Sequence, residues 1–236
     1  MATMMAKTAQ KNILIVEDEE DLADLLRMNL EKEGYLCQCA LAGDEALEQI
    51  EQQAPDLILL DRMLPGLSGD DVVSALKRDP RTAKIPVIVL TAKVEESDQL
   101  VGFALGADDY VTKPFSMKVL LARVAAMVRR VDAAQADPEV LSSGPFRMVP
   151  SHHQLTVGGE SVHLTATEFR LLKILMRARS QVLDRQQLIS RVFGEHTAIT
   201  DRTIDVHVTA LRKKIGAASN WLQTVRGVGY TFREPN

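Results

Sequence analysis

Five side chains in the first half of this 236-residue chain stand where they could do chemistry together: Glu17, Asp18, Asp61, Thr91 and Lys113. Asp61 closes the apolar run Leu57-Ile58-Leu59-Leu60 and precedes Met63-Leu64-Pro65-Gly66, which has to turn. Glu17 and Asp18 close Ile13–Val16, Thr91 follows Val87–Leu90, and Lys113 follows Tyr110–Thr112. Short apolar runs bounded by turn residues read as buried strands. Polar groups at the carboxyl ends of parallel strands lie where an open α/β sheet carries its chemistry. If the first and third strands are neighbours, three carboxylates converge in one crevice, and they repel one another unless a cation joins them. Carboxylate oxygens with retained water suit Mg²⁺. A carboxylate beside that ion can attack a phosphoryl group and form an aspartyl phosphate, with Lys113 as a second positive charge and the Thr91 hydroxyl bonded to a phosphoryl oxygen. Taken singly, the run Glu17–Asp21 also fits a solvated helix start, and Asp61 fits an ordinary turn.

The elements that must position these groups alternate. Strands are expected over Ile13–Val16, Leu36–Ala40, Leu57–Leu60, Val87–Leu90 and Tyr110–Thr112. Helical patterns lie between and after them, at Glu19–Glu33, Asp44–Gln52, Gly69–Arg78, Ser97–Leu105 and Ser116–Arg130. Repeated βα units predict a doubly wound, five-stranded parallel sheet with helices on both faces. The small polar run Asp132–Pro138 reads as a linker, which divides the chain into 12–130, a linker 131–139, and 140–234. The second unit opens with strand-like pieces at Phe146–Val149, Gln154–Val157 and Ser161–Leu164, with Gly158-Gly159 as a hairpin turn. Three helical patterns follow. Thr165-Ala166-Thr167-Glu168 forms a capping box ahead of the first, Asp184 caps the second, and the third runs from Asp201 to Ile215. Leu222–Arg226, Gly227-Val228-Gly229 and Tyr230–Arg233 read as a terminal hairpin.

At 46% hydrophobic and 25% charged residues, the composition is that of a globular protein. No apolar stretch reaches the roughly 20 residues of a membrane span, and Met1–Lys11 has no signal-peptide pattern; a cytoplasmic protein without a membrane partner is expected. Cys37 and Cys39 read as small packing residues in a reducing compartment. Residues 1–131 carry 15 Lys and Arg against 22 Asp and Glu, whereas residues 132–236 carry 13 against 10. An acidic first half suits a divalent cation and a basic second half suits nucleic acid.

In the Asp201–Ile215 helix, Ile204, Val208, Leu211 and Ile215 recur at core spacing and leave Arg202, Thr203, His207, Thr209 and Lys213 largely outside the stripe. Such a helix fits a DNA major groove, and equally an ordinary surface. The terminal hairpin tips the balance. Thr224-Val225-Arg226-Gly227 puts an arginine at a glycine turn, where Arg226 can enter a minor groove while Thr224 contacts phosphate.

Residues 12 to 130 resemble a response-regulator receiver domain. The resemblance rests on Ile15-Val16-Glu17-Asp18, Asp61-Arg62-Met63-Leu64-Pro65-Gly66, Leu90-Thr91-Ala92, Gly106-Ala107-Asp108-Asp109-Tyr110 and Lys113-Pro114-Phe115. It implies that Asp61 accepts a phosphoryl group from a sensor histidine kinase. It also implies that Glu17, Asp18, Asp61 and the backbone carbonyl of Met63 hold Mg²⁺, that Thr91 and Tyr110 form a switch pair, and that a cis bond before Pro114 aims Lys113. Residues 140 to 233 resemble the winged-helix effector domain of the OmpR/PhoB family, through Thr165-Ala166-Thr167-Glu168-Phe169-Arg170-Leu171-Leu172, the helix Asp201–Val208 and the wing Thr224–Tyr230. Met-Leu-Pro-Gly and Lys-Pro-Phe-Ser point toward its phosphate-regulon branch. The implied partners are double-stranded promoter DNA, RNA polymerase and a second copy of the chain upon phosphorylation, with Asp109 and Arg123 as a cross-subunit ion pair.

Departures from that pattern are visible. Thr209-Ala210 stands where relatives of that branch carry Arg-Arg. Gln99 and Val119, and Ala104 and Ala125, replace two other dimer ion pairs, and Arg62 replaces a frequent aromatic. They leave room for a phosphorylation-independent DNA-binding regulator with a vestigial receiver. A third reading, an aspartyl-nucleophile phosphohydrolase, lacks its second acid, because Met63 occupies that place.

Overall fold

The computed structural model describes residues 10–92, 105–135, 139–194 and 200–235. In the first half, β1 (Asn12–Val16), β2 (Leu36–Ala40), β3 (Leu57–Asp61), β4 (Val87–Thr91) and β5 (Asp109–Thr112) form one parallel sheet in the order β2-β1-β3-β4-β5. Asp61 and Thr91 are the last residues of their strands rather than the first beyond them. Successive strand residues face opposite sides. Ile13, Ile15, Leu57, Leu59, Ile88 and Leu90 therefore pack with Leu26 and Leu30 of α1 (Glu20–Lys32) and Leu120 and Val124 of α4 (Met117–Gln135). Leu14, Val16, Ile58, Leu60, Val87 and Val89 pack on the other side with Ala46 and Ile50 of α2 (Gly43–Gln52) and Val72 and Leu76 of α3 (Gly69–Arg78). Two covered faces are why these strands are unbroken apolar runs. From β1 the chain goes outward to β2 and then back past β1 to β3, so the winding reverses between β1 and β3 and opens a crevice at their carboxyl ends.

Helix α4 runs on to Gln135, so Val131–Gln135 are helix and not the start of a linker. Ala133-Ala134-Gln135 reads as small and polar, but alanine is the strongest helix former and nothing in the run stops the helix. Residues 136–138, and the helix expected over Ser97–Leu105 apart from its last residue, lie outside the described residues.

The second half holds an antiparallel sheet of β6 (Leu141–Ser143), β7 (Phe146–Val149), β8 (Gln154–Val157) and β9 (Glu160–Ser161). It also holds α5 (Ala166–Arg177), α6 (Arg185–Phe193), α7 (Asp201–Ile215) and a sheet of β10 (Leu183–Asp184), β12 (Gly229–Phe232) and β11 (Leu222–Val225). The strand expected over Ser161–Leu164 shrinks to β9, because Thr165 already begins the cap of α5. Its hydroxyl accepts from the Glu168 N–H, and the Glu168 carboxylate accepts from the Thr165 N–H at 2.8 Å. The short strands β6 and β10 carry no pattern legible in sequence. Among the described residues no helix is long and apolar enough to cross a membrane.

The halves touch at the amino ends of β4 and β5, the opposite end of the sheet from Asp61. Asp108, fully buried, accepts from the Thr167 hydroxyl of α5 at 2.5 Å, from Lys77 Nζ at 3.2 Å and from the Val87 N–H at 3.0 Å. Arg170 of α5 donates to the Val192 carbonyl at 2.9 Å and meets the sulfur of Met127 on α4 at 3.8 Å. Arg130 of α4 donates to the Phe193 carbonyl of α6.

Candidate functional site

The crevice between β1 and β3 gathers the expected residues. Glu17, directly after β1, is fully buried, whereas Asp18 is exposed. One carboxylate oxygen from each of Glu17, Asp18 and Asp61 lies within 4.8 Å of the others. Lys113, directly after β5, reaches across the sheet. Its Nζ donates to Asp61 Oδ2 at 2.5 Å and to both oxygens of Glu17 at 2.9 Å. The peptide bond before Pro114 is cis. Asp61 Oδ1 accepts from the Met63 N–H at 2.9 Å. The turn after β3 is held closely. Gly69 N–H donates to the Arg62 carbonyl at 3.1 Å, and a Cβ at Gly69 would run into the Asp61 carbonyl oxygen.

Electrostatics separate the two buried acids. Burial raises the pKa of Glu17 to about 7, and neighbouring Asp61 adds to this against the pull of Lys113. Burial acts on Asp61 in the same sense, but hydrogen bonds from Lys113 and the Met63 N–H outweigh it and hold its carboxyl below the usual range. One lysine thus leaves three clustered carboxylates short of positive charge. Three oxygen donors at one open crevice fit a hard divalent cation, which would let Glu17 ionise as well.

Thr91 at the end of β4 is buried, as is Tyr110 on β5, whose hydroxyl burial pushes well above the ordinary tyrosine range. Asp109 and Arg123, expected to pair across subunits upon phosphorylation, lie together in the single chain. Arg123 NH1 donates to both Asp109 oxygens at 2.8 and 3.0 Å. Asp109 is buried within the single chain. Gln99 and Ala104 lie outside the described residues.

In the second half, Arg202, Thr209 and Lys213 of α7 and Thr224, Arg226 and Gly227 of the wing are exposed. Gly227 takes φ +75° at the turn, a conformation side chains resist. Thr203 and His207 do not belong with them. They are 2% and 1% exposed, and the His207 ring lies 5.8 Å from that of Phe193 on α6. Thr203, Ile204, His207, Val208, Leu211 and Ile215 together form the buried side of α7. The aliphatic residues alone understate its width, because a helix packed on two others buries more than one narrow stripe.

Sequence reading also missed the side chains that set α7 against the wing. Arg212 donates to the Leu222 carbonyl at 2.6 and 3.0 Å and to the Thr224 hydroxyl at 2.9 Å. Asp205 accepts from the Tyr230 hydroxyl at 2.6 Å and from Arg185 at 2.8 Å, and Arg185 also lies over the Tyr230 ring. The basic end of α7 signals Arg212, but no spacing ties it to Leu222.

His207 has a measurable consequence. Burial holds its imidazole down at about 4, against 6.5. Between those values the unfolded chain takes a proton that the folded chain refuses, so stability falls as the solution is acidified, by about 3 kcal/mol from this residue. Chemical denaturation of His207→Leu is expected to lose that share of the acid sensitivity. An unchanged slope of stability against pH would contradict the buried neutral imidazole.

Residues 13–125 match the family described as response regulator receiver domain, and residues 159–232 match that described as transcriptional regulatory protein, C terminal. The phosphate regulon transcriptional regulatory protein PhoB of Rhizobium meliloti (strain 1021) is 45% identical over 226 residues, covering 93% of this chain and 97% of that protein. The sensory transduction protein RegX3 of Mycolicibacterium smegmatis is 47% identical over 225 residues, with the same coverage. Among solved structures, a point mutant of RitR superposes with a TM-score of 0.79 at 31% identity, covering 95% of this chain and 99% of that one.

Proposed function

Because this chain belongs to the OmpR/PhoB family of two-component response regulators, we propose that Asp61 is the carboxylate through which its phosphorylation-dependent control of transcription runs. The chain is a DNA-binding transcription regulator and not a turnover enzyme. The observation that carries the assignment of Asp61 is the Lys113 ammonium, 2.5 Å from Asp61 and 2.9 Å from Glu17 at the mouth of a three-carboxylate crevice. Glu17, Asp18, Asp61 and the Met63 carbonyl would hold Mg²⁺, which when bound neutralises phosphoryl oxygens. An Asp61 carboxylate oxygen attacks the phosphorus of the phosphohistidine presented by a sensor histidine kinase, the P–N bond breaks, and the kinase's imidazole leaves with the electron pair of that bond. Lys113 turns from the carboxylates to the new phosphate oxygens, and the Thr91 hydroxyl donates to one of them. Thr91 then vacates space beside β5 into which Tyr110 turns, and this alters the surface carrying Asp109 and Arg123. Opening their intrachain pair frees both for a second copy.

Two winged helices so joined would read tandem half-sites about one helical turn apart in cytoplasmic promoter DNA and present themselves to RNA polymerase. Arg202, Thr209 and Lys213 face the major groove and its phosphates, Thr224 and Gly227 approach the backbone, and Arg226 enters the minor groove.

Acetyl phosphate with Mg²⁺ is expected to label the full chain and to extend its footprint on its own upstream DNA to two half-sites. Chelating the metal should abolish both effects, and labelling that survives chelation would refute the metal-assisted reading. Arg226→Ala is expected to weaken DNA binding by about 1–3 kcal/mol without unfolding the domain. Equal affinity in a mobility-shift titration would remove the wing from the interface.

A further inference from the structure

Asp205 stands midway along α7, one helical turn from the exposed Arg202 on one side and from the exposed Thr209 on the other. Its side chain is 43% exposed, so the carboxylate reaches the same surface as those two residues. Its two oxygens are used unequally. Oδ1 accepts from the Tyr230 hydroxyl at 2.6 Å and from Arg185 Nε at 2.8 Å. Arg185 in turn lies 5.1 Å from the centre of the Tyr230 ring. Among the described residues, no hydrogen bond reaches Oδ2. The hydroxyl of Thr209 cannot supply one, because it donates to the Asp205 carbonyl at 2.8 Å. One oxygen thus anchors the carboxylate to the wing and to α6, and the other is held in place at the surface with its acceptor capacity unused.

Electrostatics decide what such an oxygen takes from DNA. Every phosphate repels it, so it adds nothing to backbone contact. In the major groove the available donors are the amino groups of adenine and cytosine. The adenine amino group stands between two acceptors, its own N7 and the O4 of the paired thymine, and both repel a carboxylate. The cytosine amino group has an acceptor on one side alone, the O6 of the paired guanine, and a carboxylate can approach from the other side.

We propose that Asp205 is a specificity-determining residue whose Oδ2 accepts an N4 hydrogen of one cytosine in each half-site. The inference rests on α7 entering the major groove and adds a base to that reading. Arg202 and Lys213 serve affinity for any sequence through phosphate, whereas Asp205 selects among sequences.

The full chain is used to select binding sites from a random DNA library, and mobility-shift titrations follow on the selected half-site. One position is expected to be cytosine in nearly all selected sequences. Asp205→Asn keeps an oxygen for Tyr230 and Arg185 but presents an amide to the base, and should replace the preference for cytosine there by one for adenine, which an amide meets with a donor and an acceptor. Tyr230→Phe removes a donor to Oδ1 and leaves Oδ2, so it should keep the preference for cytosine even if total affinity falls. Replacing that cytosine by 2-pyrimidinone, which lacks the amino group, should weaken binding by the unsubstituted chain roughly tenfold or more and binding by Asp205→Ala by no more than about twofold. A selected site whose base preferences survive Asp205→Asn, or equal losses with 2-pyrimidinone for both proteins, overturns the inference and leaves DNA binding through α7 standing. If the library yields no selected sequence, the major-groove reading itself fails and takes this inference with it.

Discussion

Asparagine in place of Asp61 is expected to abolish phosphoryl labelling outright and to make DNA affinity indifferent to a phosphoryl donor. The side chain keeps its size, and its carbonyl oxygen can still accept from the Met63 N–H, as Asp61 Oδ1 does at 2.9 Å. An amide is no nucleophile toward phosphorus at neutral pH, and it carries no charge to pair with Lys113 or a divalent ion. Lys113 retains Glu17, to which it donates at 2.9 Å through both oxygens, so the pocket does not lose its cation. Removing the Asp61 charge removes one of the influences that hold Glu17 near 7, so this acid should ionise at lower pH in the variant. Mass spectrometry of the donor-treated chain, with a DNA titration run in parallel, reads both outcomes. A persistent phosphoryl adduct would place the acceptor elsewhere, and DNA affinity indifferent to the donor in the unsubstituted chain would return it to the vestigial-receiver alternative.

Lys113→Gln is expected to separate metal binding from phosphoryl transfer. Among the described residues, its ammonium is the cation bonded to both buried acids. Without it, the developing charge on the phosphoryl oxygens loses a preorganised partner, and losses of this kind slow a reaction by roughly 10²–10³. The three carboxylates remain, with less positive charge among them, so affinity for Mg²⁺ should hold or rise while labelling slows. The metal-free variant should also respond to pH. Glu17 is already raised, and a carboxylate raised on folding stabilises the fold below its unfolded pKa and loses that contribution as pH climbs through the folded value. Removing Lys113 removes the influence that pulls Glu17 down, so the loss of stability, which begins near the ordinary value of 4.5 and runs to about 7, should deepen and extend upward, and Mg²⁺ should reverse it. Calorimetric metal titration and labelling rates decide the matter. If both fall together, Lys113 supports the pocket's shape rather than the transfer.

The chemistry of the pocket was legible before any coordinates because parallel sheets leave local marks. The central strands β1, β3 and β4 are buried on both faces, so each is a nearly unbroken apolar run, and the polar residue that ends the run lies at the carboxyl end of the sheet. Glu17, Asp61 and Thr91 could be placed on that rule, and Lys113 followed from the shorter pattern of β5. The cap of α5 was equally legible, because Thr165 and Glu168 meet within a single turn of chain. Boundaries governed by weak local preference were less so. The helix past Arg130 continued where small residues suggested a linker, and β10 exists only because Leu183 and Asp184 pair with Tyr230 and Gly229 of the distant wing.

From sequence alone came the repeated βα pattern, the set of acids with its lysine, and a basic helix followed by a glycine-tipped hairpin, all properties of residues near one another along the chain. Tertiary structure alone decided which side of α7 faces outward, burying Thr203 and His207. It turned Asp109 and Arg123 toward each other in one chain, and it lodged Asp108 against Thr167, 59 residues away. These outcomes depend on the packing of whole elements, whose net energies are sums of many small contacts between residues far apart in the chain, and no periodicity or spacing in the sequence encodes that sum.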